Sequence, residues 1–158
     1  TYTMKKSFKR KKGPVQSKKV THDGIKFASG LEKYMYIALK KAKIKADYEG
    51  QTFELVEAFD FNLKSVERQG NGKGEYRDRG NKKIQNIKYT PDFIGSDFII
   101  ETKGRANESF PMRWKLFKKL LTHKNMITQK PIEWTLYKPQ NQKECDETIR
   151  LILLQQNT

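Results

Sequence analysis

The spacing of apolar residues changes period along the chain, and each change predicts an element. From Ser29 to about Lys43, Leu31, Tyr34, Met35, Ala38, Leu39 and Ala42 recur at helical spacing as one stripe, with Lys33, Lys40, Lys41 and Lys43 on the wetter sides. Ser29 and Glu32 have the spacing of a capping box, which predicts the helix start. Tyr48 to Val56 and Phe59 to Val66 alternate imperfectly but are rich in strand formers. Glu67 to Lys83 is glycine-rich, basic and without period, which predicts a long mobile loop or a hairpin tip. Ile87 to Tyr89 approach a short strand, Pro91 keeps the chain extended, and Gly95-Ser96 can make a tight turn before a strand over Asp97 to Thr102. In that strand Phe98, Ile99 and Ile100 run consecutively, the pattern of a central strand buried on both faces. A helix follows from about Pro111 with Trp114, Phe117, Leu120 and Leu121 on its packing side, then a strand over Ile132 to Tyr137. Asn141 and Glu144 open a last helix whose face is Cys145, Ile149, Ile152 and Leu153. This order predicts an α/β fold, a mixed central sheet flanked by helices.

Composition narrows the partners. The 158 residues suffice for one compact domain. Lys plus Arg is 33 against 18 for Asp plus Glu, a formal charge of +15 that favours a polyanionic partner. Nucleic acid is favoured over an anionic membrane. No stretch is apolar enough to span a bilayer, and no basic segment alternates with large apolar residues as an interfacial helix would. Residues 1–20 hold eight basic residues and no acidic one, so residues 1–22 are expected to form a flexible basic arm ahead of a single domain over 23–158. Lys5, Lys6, Lys9, Arg10, Lys11 and Lys12 would lie along phosphates, the alternative being a tail that only aids solubility. The single cysteine, Cys145, excludes an intrachain disulfide and a cysteine-based zinc cluster, and His22 and His123 lie far apart in sequence. With no secretory signal visible, an intracellular protein is expected. The 67–83 segment either reaches nucleic acid or is an insertion without a role.

The candidate chemistry lies in IKYTPDFIGSDFIIETKGR. Glu101 and Lys103, two apart on a strand, leave the same face where the apolar run ends, and Gly104 would let a ligand approach closely. Such a pair can also be a surface ion pair of little value. Pairing across Gly95-Ser96 would bring Asp92 toward Glu101. Two neighbouring carboxylates repel unless a cation lies between them, and Mg²⁺ is the natural occupant. Lys103 would then orient a hydrolytic water or steady a pentacoordinate phosphate. Glu32 has a structural reason to exist as a capping residue and is also placed to complete a metal shell. Arg105, Arg113, Lys115, Lys118 and Lys119 flank the cluster, with Arg113 and Lys115 the candidates for gripping phosphate.

Pro91-Asp92 followed by Glu101-Thr102-Lys103 resembles the PD-(D/E)XK nuclease superfamily. The longer set of SGLE at 29–32, YTPDF at 89–93 and ETKG at 101–104 is similar to the bacteriophage endonuclease I type of Holliday-junction resolvase. The resemblance implies a restriction-endonuclease-like core and active-site residues Glu32, Asp92, Glu101 and Lys103. It implies metal ligands Asp92, Glu101, Glu32 and the backbone carbonyl of Thr102, with Mg²⁺ or Mn²⁺ as cofactor. It further implies 5′-phosphate and 3′-hydroxyl products, a homodimer acting on branched DNA, and, for a phage protein, location in the host cytoplasm. The chain departs from the resolvase pattern in its glycine-rich excursion over 67–83 and in FPMRWKLFKKLL after Gly104. The leading expectation is therefore a metal-dependent, structure-selective endodeoxyribonuclease. The alternatives are a nicking or end-cutting nuclease of the same superfamily and a DNA-binding protein without hydrolytic activity.

Overall fold

The computed structural model describes residues 18–104, 107, 109–128 (side chains to 122) and 134–158. It opens with a hairpin in which β1 (Val20–His22) pairs antiparallel with β2 (Ile25–Phe27), Val20 opposite Phe27. Asp23 and Gly24 connect them with φ of 51° and 73°, the left-handed conformation at both central positions that matches the twist of a two-residue hairpin. This corrects the boundary of the expected arm, since residues 20–22 are strand. Asp-Gly at the turn is the cause, and an ion pair of 2.5 Å from Lys40 to Asp23 fastens the turn to the next helix.

That helix, α1 (Gly30–Lys41), is capped by Ser29, whose side chain accepts the Glu32 N–H at 3.2 Å. It ends as the sequence implies: Lys43 takes φ 57°, its N–H reaches the Lys40 carbonyl at 3.1 Å, and the Ile44 N–H reaches the Leu39 carbonyl at 3.0 Å. These are the two bonds of a Schellman motif, and Ile44 and Leu39 join the same buried cluster.

After β3 (Asp47–Tyr48) the chain runs out and back. β4 (Phe53–Val56) and later β9 (Ile87–Tyr89) pair antiparallel. Within them β5 (Phe59–Phe61) pairs with β8 (Lys82–Ile84), and β6 (Val66–Glu67) with β7 (Arg77–Asp78). The nested pairs make residues 53–89 a long two-stranded ribbon, so the expected loop over 67–83 is its end and its return strand. Its outer part has no hydrophobic period because neither face there is buried.

β10 (Phe93–Ile94) and β11 (Phe98–Ile100) follow as a tight hairpin. Gly95 donates to the Phe98 carbonyl at 2.9 Å, and a Cβ there would lie 2.2 Å from the Phe98 ring, so only glycine fits. α2 (Phe110–Thr128) leads to β12 (Thr135–Tyr137), parallel to β11 with Ile100 opposite Tyr137. α3 (Gln142–Gln156) closes the chain, capped by Asn141, which accepts the Glu144 N–H at 2.8 Å.

The central sheet is mixed, in the order β12-β11-β10-β3, and is flanked by helices as expected. Phe98 and Ile100 enter one core with Met35 and Leu39 of α1 and Cys145 and Ile152 of α3. Ile99, on the opposite face, enters a second core with Phe110, Trp114 and Phe117 of α2 and with Phe53 and Tyr89. The consecutive apolar run is thus fully buried because helices cover both faces. On α3 one expectation is corrected. Leu153 is exposed, and the buried position is Thr148, whose hydroxyl bonds to the Glu144 carbonyl at 2.8 Å and so can enter a core without an unmet donor. Among the described residues no helix is long and apolar enough to cross a membrane.

Candidate functional site

The β10–β11 register fixes the centre of the site. Phe93 lies opposite Ile100, so Asp92 and Glu101 are the next facing positions at the end of the hairpin. The backbone beyond β11 is held from both sides. The Glu101 and Lys103 N–H groups donate to the carbonyls of Tyr137 and Pro139, each at 2.9 Å. On the other side the Asp92 side chain takes the place of a ladder partner, its Oδ2 accepting the Thr102 N–H at 2.8 Å and the Thr102 hydroxyl at 2.7 Å.

Among the described residues the buried polar or charged side chains are Glu32, Asp92, Glu101, Thr102 and Thr148, and all but the last belong here. Burial, then the negative charges of Glu101 and Glu32, push the Asp92 carboxyl up to about 8. Glu101 is also raised by burial, opposed by the Tyr89 hydroxyl and by Lys103. The Tyr89 hydroxyl donates to Glu101 Oε2 at 2.7 Å, and burial followed by the Glu101 charge drives this phenol far above the usual tyrosine range, so it remains a donor. Lys103 Nζ lies 3.4 Å from Glu101 Oε1 and 4.4 Å from the centre of the Phe110 ring, which fixes the ammonium at the rim of the second core.

Glu32 arrives from the first turn of α1. Its Oε2 accepts the Tyr48 hydroxyl at 2.5 Å, and its Oε1 lies 3.4 Å from the Ser29 hydroxyl. The carboxylate is thereby tied to β3, close enough to Asp92 for its charge to raise that group. The structure thus brings together Glu32, Asp92, Glu101, Thr102 and Lys103. The Arg113 guanidinium donates to the carbonyl of Lys88 at the base of the ribbon, next to Tyr89. Lys115 and Lys119 are exposed on α2, and Lys118 Nζ lies 5.7 Å from the centre of the Trp114 ring. Lys5, Lys6, Lys9, Arg10, Lys11, Lys12 and Arg105 lie outside the described residues, as does the His123 side chain. Sequence reasoning missed the two phenols, Tyr48 and Tyr89. Their signal is weak: a tyrosine in a strand reads as core, and only the pairing brings its hydroxyl to an acid.

The donor set suits a hard divalent cation: carboxyl oxygens, with Asp92 held protonated near neutrality by burial and then by its acidic neighbours. A bound cation would relieve that repulsion. Among the described residues no three His, Cys, Asp or Glu side chains gather closely enough to hold an ion by themselves. Mg²⁺ does not require such a cage, since it is commonly bound by one or two carboxylates and completes its shell with waters and substrate phosphates.

Residues 10–135 match the model of a family described as protein of unknown function (DUF1064). No curated protein and no solved structure matches the chain.

Proposed function

For this chain, which belongs to the DUF1064 family of unknown function, we propose the activity of a divalent-metal-dependent endodeoxyribonuclease. The observation that carries the reading is the buried Asp92–Glu101 pair with Lys103 beside it, at the end of a hairpin in a mixed sheet covered by helices. Burial beside a second carboxyl, which raises Asp92 to about 8, is destabilising without a function that uses it. The same hairpin, with an acid on its first strand and acid-any-lysine on its second, supports a restriction-endonuclease-like core. The formal charge of +15 supports a phosphodiester polymer as substrate.

Asp92 and Glu101 would hold Mg²⁺ or Mn²⁺, with the Thr102 carbonyl as a further oxygen donor and Glu32, tied to Tyr48 and Ser29, lending its charge from outside the shell. When bound, the ion polarises a phosphate oxygen and offsets the charge that builds in the transition state. Thr102 and Tyr89 each fix one carboxylate oxygen, so the acids keep their orientation whether or not substrate is present. Lys103, steadied between Glu101 and the Phe110 ring, presents its ammonium to the attacking water and to the pentacoordinate phosphate. The preferred substrate is branched DNA cut by a homodimer, in line with the SGLE, YTPDF and ETKG motifs.

Cleavage assays on four-way junction, flap and linear duplex, with Mg²⁺ or Mn²⁺, test the reading. The parent cuts, while Asp92→Asn and Lys103→Ala do not. Absence of cutting on every substrate with either ion rejects the nuclease and leaves a DNA-binding protein. Equal cutting of junction and linear duplex rejects only the preference for branches. A monomeric mass by light scattering rejects the homodimer.

A further inference from the structure

The ribbon over residues 57–86 packs against no core, and most of its large apolar residues face solvent: Leu63 is 67% and Tyr76 is 69% exposed, Phe59 and Val66 are exposed too, and only Phe61 and Ile84 are half-buried. An isolated two-stranded ribbon is marginal in water. Yet this one carries side chains that hold its tip in one shape. Arg68 donates to the Gly74 carbonyl at 3.0 Å, and Arg79 donates to the carbonyls of Glu67 and Glu75 at 3.1 and 3.3 Å. Two arginines are thus used on backbone, and other cations are left over. Among the described residues none of Lys73, Arg77, Lys82 and Lys83 has a carboxylate oxygen within 4.0 Å, and all four are exposed.

The base of the ribbon is fastened to the candidate site. Tyr89 on β9 bonds to Glu101, the Arg113 guanidinium bonds to the Lys88 carbonyl, and the Thr52 and Thr90 hydroxyls meet at 2.7 Å. Three residues beyond β9 the chain reaches Asp92. The base of the ribbon is therefore fixed beside Asp92 and Glu101, and whatever the ribbon holds is tethered close to them. A two-stranded ribbon fits the major groove of duplex DNA, and cations without protein partners fit the phosphates that border it.

We propose that this ribbon grips duplex DNA, with Lys73, Arg77, Lys82 and Lys83 on the phosphates and Tyr76 at the groove, and so sets the cutting position relative to the duplex. The choice of DNA rests on the nuclease reading; the test does not require hydrolysis.

Binding of a labelled linear duplex is measured by fluorescence anisotropy on the full chain in EDTA, across a salt series. The variant Lys73→Gln/Arg77→Gln/Lys82→Gln/Lys83→Gln is expected to bind roughly tenfold or more weakly, and its slope of log affinity against log salt should fall by about three to four, near 0.9 per phosphate contact. The charge-keeping variant Lys73→Arg/Lys82→Arg/Lys83→Arg should match the parent. Parent-like affinity and slope in the glutamine variant overturn the proposal. So does a parent that does not bind duplex, or a loss shared by the arginine variant, which would trace it to shape rather than charge. A dimer that dissociates in the glutamine variant, with binding per chain unchanged, would make the ribbon a self-association device instead. Failure of catalysis alone leaves this result standing, and failure of this result leaves the nuclease reading standing.

Discussion

Asp92 is ionised in an unfolded chain above its ordinary 3.8 but holds its proton in the folded, metal-free protein up to about pH 8. The folded state therefore binds more protons at this group over that window, and its contribution to stability falls as pH rises from about 4 to about 8, then levels off. Asp92→Asn removes the titrating group. In EDTA its melting temperature should exceed the parent's at about pH 8, and the gap should close toward pH 4, while cleavage is lost. A variant that melts below the parent at pH 8 would count against the unfavourable burial of Asp92 beside a second acid. Tyr89→Phe deletes the hydroxyl that holds Glu101 Oε2. Its expected effect is about a tenfold loss of Mn²⁺ affinity by calorimetry, with the circular dichroism spectrum preserved. At this scale the acids and the lysine were legible in sequence, because residues two apart on a strand and residues facing across a tight turn have only one arrangement. The roles of Tyr48 and Tyr89 were not, since a phenol's partner is set by tertiary pairing. Nor was the Lys88 carbonyl that Arg113 meets, on a strand twenty-five residues earlier.

The elements carry their own tests. Lys43 sits in the left-handed region to complete the end of α1, a conformation that disfavours any side chain with a Cβ. Lys43→Gly should raise stability by about 1 kcal/mol in chemical denaturation, with no change in the cores. Gly95→Ala should do the reverse, by about 1–3 kcal/mol, because the added carbon meets the Phe98 ring in a filled core. Helix starts were readable from Ser29 and Asn141, and the central strand from its unbroken apolar run. The opening hairpin was missed although Asp23-Gly24 signals its turn, because the basic composition just before it suggested an unstructured arm. The outgoing strand of the ribbon and its tip were within reach, but the return strands β7 and β8 were missed for a deeper reason. Alternation marks a strand only when one of its faces is buried, and β5 to β8 bury little on either.

Across the molecule, stability and reach are separated. Met35 and Phe117 lie fully buried on opposite faces of one sheet, so Met35→Ala and Phe117→Ala should each lower the same unfolding transition by about 2–5 kcal/mol. Phe59→Ser and Leu63→Ser, both on the exposed ribbon, should stay within about 0.5 kcal/mol of the parent. Hydrogen exchange should agree, with amides of 63–80 exchanging well before those of 98–100. A destabilisation by the ribbon variants as large as that of the core variants would show that the ribbon is part of the cooperative unit. The bonds from Glu101 and Lys103 to the carbonyls of Tyr137 and Pro139 have one more consequence. Both acceptors come after position 135, where the stretch that matches the family model ends. A fragment trimmed to that stretch would contain every side chain proposed for hydrolysis and yet lose the acceptors that keep them in line, together with the helix that seals one face of the sheet. Such a fragment should therefore be inert in the cleavage assay that the full chain passes.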